Sequence, residues 1–171
     1  MTKNNALPKR KPNRLQGYDY SSNGVYFVTI CTQNKECVLS RIVGGGVLDA
    51  PKIELSKYGK AVDEQIALMN SMLDNVIVEK YVIMPNHIHL LIRIENKSDS
   101  GSSRTPTPTN SLVSIFVSTL KRFTNKNVGK KLWQRSYYDH IVRNESEHLK
   151  IWEYINSNSQ KWQNDKYFTG D

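Results

Sequence analysis

An α+β fold built on a four-stranded antiparallel sheet is predicted by three features of the sequence. Runs of β-branched and aromatic residues mark four strands. Apolar residues at helical spacing mark three helices. The order is strand, helix, strand, strand, helix, strand, helix, and the first six elements form the ferredoxin-like split βαβ arrangement. We therefore expect two helices on one face of the sheet and an additional C-terminal helix.

The strands are identified by β-branched and aromatic composition. They are predicted at residues 25–31, 75–83, 87–94 and, at least in part, 132–142. The second and third are separated by only the short turn Met84-Pro85-Asn86, which predicts an antiparallel hairpin. Residues 32–54 are expected to be irregular, with a short hairpin around the glycines at 44–46.

The helices are identified by their end signals as well as by their apolar spacing. The first is predicted to run from a cap at residue 56 to about residue 72, and the second ends at a glycine at position 129. The third is predicted from about residue 148 to about residue 162. Side chains suited to N-terminal capping are Ser56, Asn110 or Ser111, and the capping-box pair Asn144 and Glu147.

The chain length of 171 residues suits one domain with its own core. We expect residues 1–24 to form a basic, partly flexible N-terminal arm and residues 25–171 to form a single domain. Residues 95–109 are polar and rich in Pro, Ser and Thr, so a mobile loop is expected there.

The charge balance indicates a polyanionic partner. The formal net charge is +8, and phosphates reward clustered Lys and Arg, so nucleic acid is the expected partner. Two cysteines are too few for a disulfide framework. The sequence has neither the ~20 apolar residues of a membrane span nor the apolar core of a secretory signal. We expect a cytoplasmic protein without a membrane partner.

Two histidines within the third predicted strand indicate a metal site. His87 and His89 are two residues apart, so both side chains point to the same face of the sheet, while Ile88 and Leu90 point to the other. Imidazole is a common ligand of divalent metals, and two imidazoles on one face supply half of such a site. The alternative is that they are ordinary histidines of a half-exposed strand. If they bind metal, they must be neutral, and activity should fall below the ordinary histidine pKa of ~6.5.

A nucleophile is less clearly marked. No Gly-x-Ser-x-Gly motif is present, and neither cysteine has an adjacent base. The third predicted helix carries Tyr154 and, one turn later on the same face, Asn158. Residue types alone leave Tyr137, Tyr138 and Tyr167 as alternatives.

Three blocks of sequence together resemble the single-tyrosine HUH transposases, the IS200-like superfamily, and most of all the REP-associated tyrosine transposases. The first block is His87-Ile88-His89 after Met84-Pro85-Asn86. The second is residues 132–140, Leu-Trp-Gln-Arg-Ser-Tyr-Tyr-Asp-His. The third is Arg143-Asn144-Glu145 leading to Glu153-Tyr154-Ile155.

The resemblance implies a site and a reaction. In the family register Tyr154 is the nucleophile and Asn158 the third metal ligand beside His87 and His89, while Ser159 stands where the family often has Pro. The implied cofactor is Mg²⁺ or Mn²⁺. The implied reaction is cleavage and strand transfer of single-stranded hairpin DNA through a 5′-phosphotyrosine, either in transposition or in the processing of host repeats. Relatives of this kind occur as monomers and as homodimers.

Basic and aromatic residues are the candidates for DNA contacts. Trp133, Tyr137 and Tyr138 are candidates for base stacking or, equally, for core packing. A rival interpretation is a non-catalytic module that binds hairpin DNA or RNA on the same fold. The candidates for backbone contacts are Lys9, Arg10, Lys11, Arg14, Lys121, Arg122, Lys130, Lys131 and Arg135.

Overall fold

The computed structural model describes residues 22–44, 50–95 and 111–169, which form an α+β fold. The arm expected at 1–24 therefore falls almost wholly outside the described residues, as does the loop expected at 95–109. None of the helices in the described ranges is both long and apolar enough to cross a membrane. In chain order the elements are β1 (Gly24–Cys31), β2 (Ser40–Val43), β3 (Lys52–Leu55), α1 (Lys57–Met72), β4 (Val76–Ile83), β5 (His87–Ile94), α2 (Leu112–Val128), β6 (Tyr138–Val142) and α3 (Glu145–Ser157).

The main sheet has the predicted topology. Its four strands lie in the order β4-β5-β1-β6, and each neighbouring pair is antiparallel. This is the strand order of the split βαβ arrangement, with β5 and β1 in the centre. The predicted ferredoxin-like fold is confirmed. Strand β5 is paired on both edges, and seven of its eight residues are buried, so both of its faces are covered by protein.

The hydrophobic core lies between the sheet and the pair α1 and α2. On β5 the side chains of Ile88, Leu90 and Ile92 are fully buried in this core. Val62 of α1 and Phe116 of α2 belong to the same cluster. The alternation of the strand therefore sends one set of β5 side chains into the core and leaves the other set on the face that α3 covers.

Part of the segment expected to be irregular forms the hairpin of β2 and β3, which pair as a separate two-stranded sheet. This hairpin sits against the start of α1. Ser56 caps α1 through hydrogen bonds from the backbone N–H groups of Tyr58 and Gly59, as predicted. Its hydroxyl also donates to the Val38 carbonyl, which ties the helix start to the chain that enters β2.

The fourth strand is shorter than predicted, since β6 covers only Tyr138–Val142. The residues before it make only an isolated backbone bridge, between Trp133 and Thr32, and side chains hold the rest of the segment. Trp133 is buried in the core and donates from Nε1 to Thr124 Oγ1 at 2.7 Å. The Lys121 ammonium donates to the carbonyls of residues 134–136. These carbonyls are therefore engaged by a side chain and not by a neighbouring strand.

The third helix also differs from the prediction at both ends. It begins at Glu145 because Asn144 caps it, accepting a hydrogen bond from the Glu147 N–H at 2.9 Å. It ends at Ser157, not near residue 162, and a 3-10 helix follows over Ser159–Asn164. The tighter 3-10 winding carries the buried Trp162 to a ring distance of 6.0 Å from His87.

Candidate metal and tyrosine site

The two histidines of β5 lie together on the face opposite the core. Their Nε2 atoms are 3.0 Å apart, and both side chains are fully buried. The Nδ1 atom of His87 is 2.9 Å from Asn86 Oδ1, and the Nδ1 atom of His89 is 2.8 Å from Thr29 Oγ1. A partner on Nδ1 fixes the orientation of each ring, so both Nε2 atoms point to the same place. This is the geometry expected of a pair of imidazole ligands.

Helix α3 crosses the same face and brings Tyr154 to the histidines. The phenolic oxygen of Tyr154 lies 3.2 Å from His89 Nε2. Its ring also makes an edge contact with Phe27 of β1, at a centroid distance of 6.0 Å. The structure thus brings Tyr154 into the site within a single chain. Of the alternatives, Tyr137 and Tyr138 lie on the β6 side, and Tyr167 contacts the histidine rings through its own ring.

Asp165, which follows the 3-10 helix, is part of the site although the sequence did not mark it. Its Oδ2 atom accepts a hydrogen bond from the Tyr154 hydroxyl at 3.3 Å and one from Asn158 Nδ2 at 3.5 Å. Its Oδ1 atom accepts from the Tyr167 N–H at 2.7 Å. Asp165 is 11 residues beyond Tyr154 and reaches it only because the chain turns back after α3. No spacing rule for helices or strands would have paired the two residues.

The residues present fit a divalent metal ion. One ligand atom from each of His87, His89 and Asp165 lies within 4.8 Å of the others. Asn158 is 1% exposed, and its Oδ1 atom has no hydrogen-bond partner among the described residues. A buried amide oxygen without a partner is costly unless something else satisfies it. Two nitrogens, a carboxylate and an amide oxygen form a mixed ligand set that suits such an ion.

Burial sets the protonation states at the site. It lowers the pKa of His87 to about 4, although the carboxylate of Asp165 acts in the opposite direction. Burial, followed by the neighbouring His87, lowers the pKa of His89 well below its ordinary value. The pKa of Tyr154 is raised to about 12, first by burial and then by the charge of Asp165. At neutral pH the structure therefore has two neutral imidazoles and a neutral phenol, and the imidazoles remain neutral well below pH 6.5.

Two cations and an aromatic ring border the histidines. The Tyr167 ring lies 4.6 Å from the His87 ring, and the Tyr167 carbonyl accepts a hydrogen bond from Asn86 Nδ2. The ammonium groups of Lys35 and Lys166 lie 5.6 Å and 4.9 Å from the centroid of the Tyr167 ring. Neither lysine is among the residues predicted to contact DNA, so their position near the site is visible only in the fold.

The predicted DNA-contacting residues fall into three groups. The arm residues Lys9, Arg10, Lys11 and Arg14 lie outside the described residues. Lys121 makes internal contacts in the structure: its ammonium donates to three backbone carbonyls, and burial lowers its pKa to about 8. The exposed members of the set are Arg122, Lys130, Lys131 and Arg135.

The three aromatic candidates for base stacking differ in how much of each side chain is exposed. Trp133 is 2% exposed and belongs to the core, which is the core-packing alternative expected for these residues. Tyr137 packs against the core and its hydroxyl lies 2.9 Å from Ser114 Oγ. Tyr138 is 47% exposed. It is the member of the three that presents a large aromatic surface.

Comparison with known proteins identifies the family. A family model described as "Transposase IS200 like" matches residues 58–158, a range that contains both histidines, Tyr154 and Asn158. The chain belongs to this IS200-like transposase family, which confirms the resemblance drawn from the motifs. An uncharacterized protein of Haemophilus influenzae is 32% identical over 98% of each chain.

The fold agrees with a solved structure of the same class. A REP-associated tyrosine transposase bound to a REP hairpin superposes with a TM-score of 0.58 at 16% identity, over 86% of this chain and 74% of that one. At this identity the match shows the fold alone. A structure from Deinococcus radiodurans aligns at 17% identity over 84% of this chain and 95% of that one, but its TM-score of 0.46 adds nothing to the fold assignment.

The buried histidines predict an acid-sensitive stability of the metal-free protein. In the unfolded chain a histidine takes up a proton near pH 6.5, whereas folded His87 does so near pH 4. Between these values the unfolded state binds more protons, so the free energy of unfolding falls as the pH falls, by about 3 kcal/mol for His87. Denaturant unfolding in EDTA at pH 4.5 to 7.5 measures this loss.

The matched control for the pH series is the double variant His87→Gln/His89→Gln. It lacks both titrating groups, so its stability should depend less steeply on pH over the same range. Equal slopes for the variant and the wild type would show that the acid sensitivity comes from other groups.

The position of Asp165 predicts that it contributes to metal affinity. Asp165→Asn removes a negative charge from the group formed with His87 and His89, and we expect Mn²⁺ affinity to fall by about 10-fold or more. Isothermal titration with Mn²⁺ measures this change. Asp74→Asn, at an exposed position before β4, is the control and should leave the affinity unchanged. An unaltered affinity in Asp165→Asn would remove Asp165 from the metal group.

Proposed function

We propose that this chain is a metal-dependent enzyme that cuts single-stranded hairpin DNA and transfers the cut strand through a tyrosine. The observation that carries the proposal is the 3.2 Å contact between the Tyr154 hydroxyl and His89 Nε2, beside a second buried imidazole. Cleavage by a tyrosine at a metal ion needs a hydroxyl nucleophile beside ligands that can hold the ion, and neutral imidazoles are such ligands. Membership of the IS200-like transposase family supports the same conclusion.

His87 and His89 would hold Mg²⁺ or Mn²⁺ through their Nε2 atoms, with Asn158 Oδ1 and the Asp165 carboxylate as further donors. When bound, such an ion supplies positive charge that polarises the scissile phosphate. Asn86 and Thr29 orient the imidazoles, so the ligand atoms are preorganised before the DNA arrives. Burial keeps both rings neutral and able to donate a lone pair.

Tyr154 is proposed as the nucleophile. Its oxygen attacks phosphorus, the bond between phosphorus and the 3′-oxygen breaks, and a 5′-phosphotyrosine and a free 3′-hydroxyl result. The Tyr154 hydroxyl donates to the Asp165 carboxylate in the structure, so Asp165 is proposed to accept the phenolic proton as the new bond forms, while the departing 3′-oxygen takes a proton from solvent water. One phosphodiester replaces another, so a second 3′-hydroxyl can reverse the step and join strands without a nucleotide cofactor.

The substrate class is inferred from charge and from the relatives. The net charge of +8 and the exposed Arg122, Lys130, Lys131 and Arg135 favour a nucleic-acid backbone. The structural relative that shares this fold is bound to a REP hairpin. We therefore propose hairpin DNA with a single-stranded flank as the substrate, from the chain's own element or from host repeats.

One chain is proposed to hold a complete site. Tyr154, His87, His89, Asn158 and Asp165 all meet within the same chain. Nothing in this arrangement needs a residue from a second copy to bring the tyrosine to the histidines. We infer that Tyr154 acts in cis and that a monomer is competent for cleavage.

The proposal predicts a covalent adduct. Hairpin oligonucleotides from the DNA that flanks the gene, labelled at the 3′ end, should form a labelled protein band with Mn²⁺ that survives denaturing electrophoresis. Tyr154→Phe should abolish this band, because the ring stays but the oxygen is lost, and EDTA should abolish it as well. Tyr81→Phe, on the opposite face of the sheet, is the matched control and should retain the band.

Two outcomes would contradict the proposal. A band that persists in Tyr154→Phe would assign the nucleophile to another residue. A wild-type protein that shifts the hairpin in native gels but forms no adduct, with or without metal, would favour the non-catalytic binding module.

A further inference from the structure

An open groove of about 230 Å³ lies on the sheet face beside the histidine pair. Thr29 and Cys31 of β1 form its floor, Gln134 and Ser136 line it from the segment before β6, and Tyr137, Tyr138 and Tyr167 supply its aromatic walls. The groove is smaller than the ~300–1,000 Å³ pockets that take drug-sized ligands. Its size and its aromatic walls suit one flat ring better than a whole nucleotide.

The groove is continuous with the tyrosine site. Thr29, at its floor, is the residue whose Oγ1 lies 2.8 Å from His89 Nδ1. Tyr167, in its wall, has its ring 4.6 Å from the His87 ring and 6.0 Å from the His89 ring. A group held in the groove would therefore lie next to a phosphate bound at the histidines, within the span of neighbouring nucleotides.

Two of these aromatic residues, Tyr138 and Tyr167, share a cation. The ammonium of Lys166 lies 5.2 Å from the centroid of the Tyr138 ring and 4.9 Å from that of Tyr167. Lys166 is exposed, and Tyr138 keeps 47% of its surface accessible. Two aromatic rings and an exposed positive charge beside a small groove match the two parts of a nucleotide, a π-face and a phosphate.

We propose that this groove binds the base of one unpaired nucleotide adjacent to the phosphate that Tyr154 attacks. The base stacks on Tyr138, with Tyr167 also lining the groove, and Lys166 contacts the phosphate of the same nucleotide. Gln134 and Ser136 place an amide and a hydroxyl where they can meet the edge of the base. The inference rests on the proposed function and adds to it a residue set for recognising the single-stranded flank. Lys166 and Tyr167 lie beyond residues 58–158, the range that the family shares with this chain.

The test separates base stacking from phosphate contact. The probes are a fluorescein-labelled 12-mer of thymidine and a 12-mer of abasic residues with the same number of phosphates, both titrated in EDTA so that no cleavage occurs. The wild type should bind the thymidine oligomer more tightly by about 5- to 150-fold, the range expected for stacking of a single base. Tyr138→Ala should lose most of this preference, and Tyr138→Phe should keep it.

Two further variants complete the design. Lys166→Ala should weaken the two oligomers equally and lower the slope of log affinity against log salt by about 0.7, the value for one phosphate contact on a single strand. Phe123→Ala removes another exposed ring, on α2, and should change neither the preference nor the slope. Circular dichroism confirms that each variant is folded.

Two results would overturn the groove assignment. One is a wild type that binds both oligomers equally, and the other is a folded Tyr138→Ala that keeps the full preference. Neither result bears on the covalent adduct of Tyr154, which is measured with Mn²⁺ on hairpin DNA. Failure of the groove and failure of the proposed reaction are therefore distinguishable.

Discussion

The alternation of side chains along β5 is the constraint on which the site depends. The same strand buries Ile88 and Leu90 in the core and presents His87 and His89 to the opposite face. A central strand cannot slip by one residue without exchanging these two sets, so the core fixes the register of the histidines. Burying an imidazole without a hydrogen-bond partner costs free energy of folding. The contacts of the histidines with Asn86 and Thr29 therefore stabilise the fold as well as orient the rings.

The second condition is that α3 lies at a fixed place on the histidine face. His148, in its first half, lies 2.7 Å from Glu79 Oε2 of β4, and Glu79 also pairs with Arg93 of β5. The side chains of Glu79 and His148 are only 15% and 19% exposed, so the contact between them is largely shielded from water. It anchors the helix to the two strands that precede and carry the histidines. Tyr154 lies fewer than two turns further along the same rigid helix.

Local patterns accounted for most of the fold and for half of the site. Strand alternation and capping residues act over a few positions, which is why the order of elements and the shared face of His87 and His89 could be predicted. The place of Asp165 could not, because it depends on the 3-10 turn that reverses the chain after α3. The internal roles of Trp133 and Lys121 could not be predicted either. The local sequence does not distinguish an aromatic residue that faces solvent from one that packs in the core, as Trp133 does. Nor does it distinguish a lysine that faces solvent from one that binds backbone carbonyls, as Lys121 does.

Mixing two inactive variants shows whether one chain carries the whole site. Tyr154→Phe keeps the imidazoles, and His87→Ala/His89→Ala keeps the tyrosine. If each site is built within one chain, the mixture of both variants forms no covalent adduct with hairpin DNA and Mn²⁺, although the wild type does so under the same conditions. An adduct restored by mixing would rule out a site built within one chain, because it would show that the tyrosine of one copy serves the histidines of another.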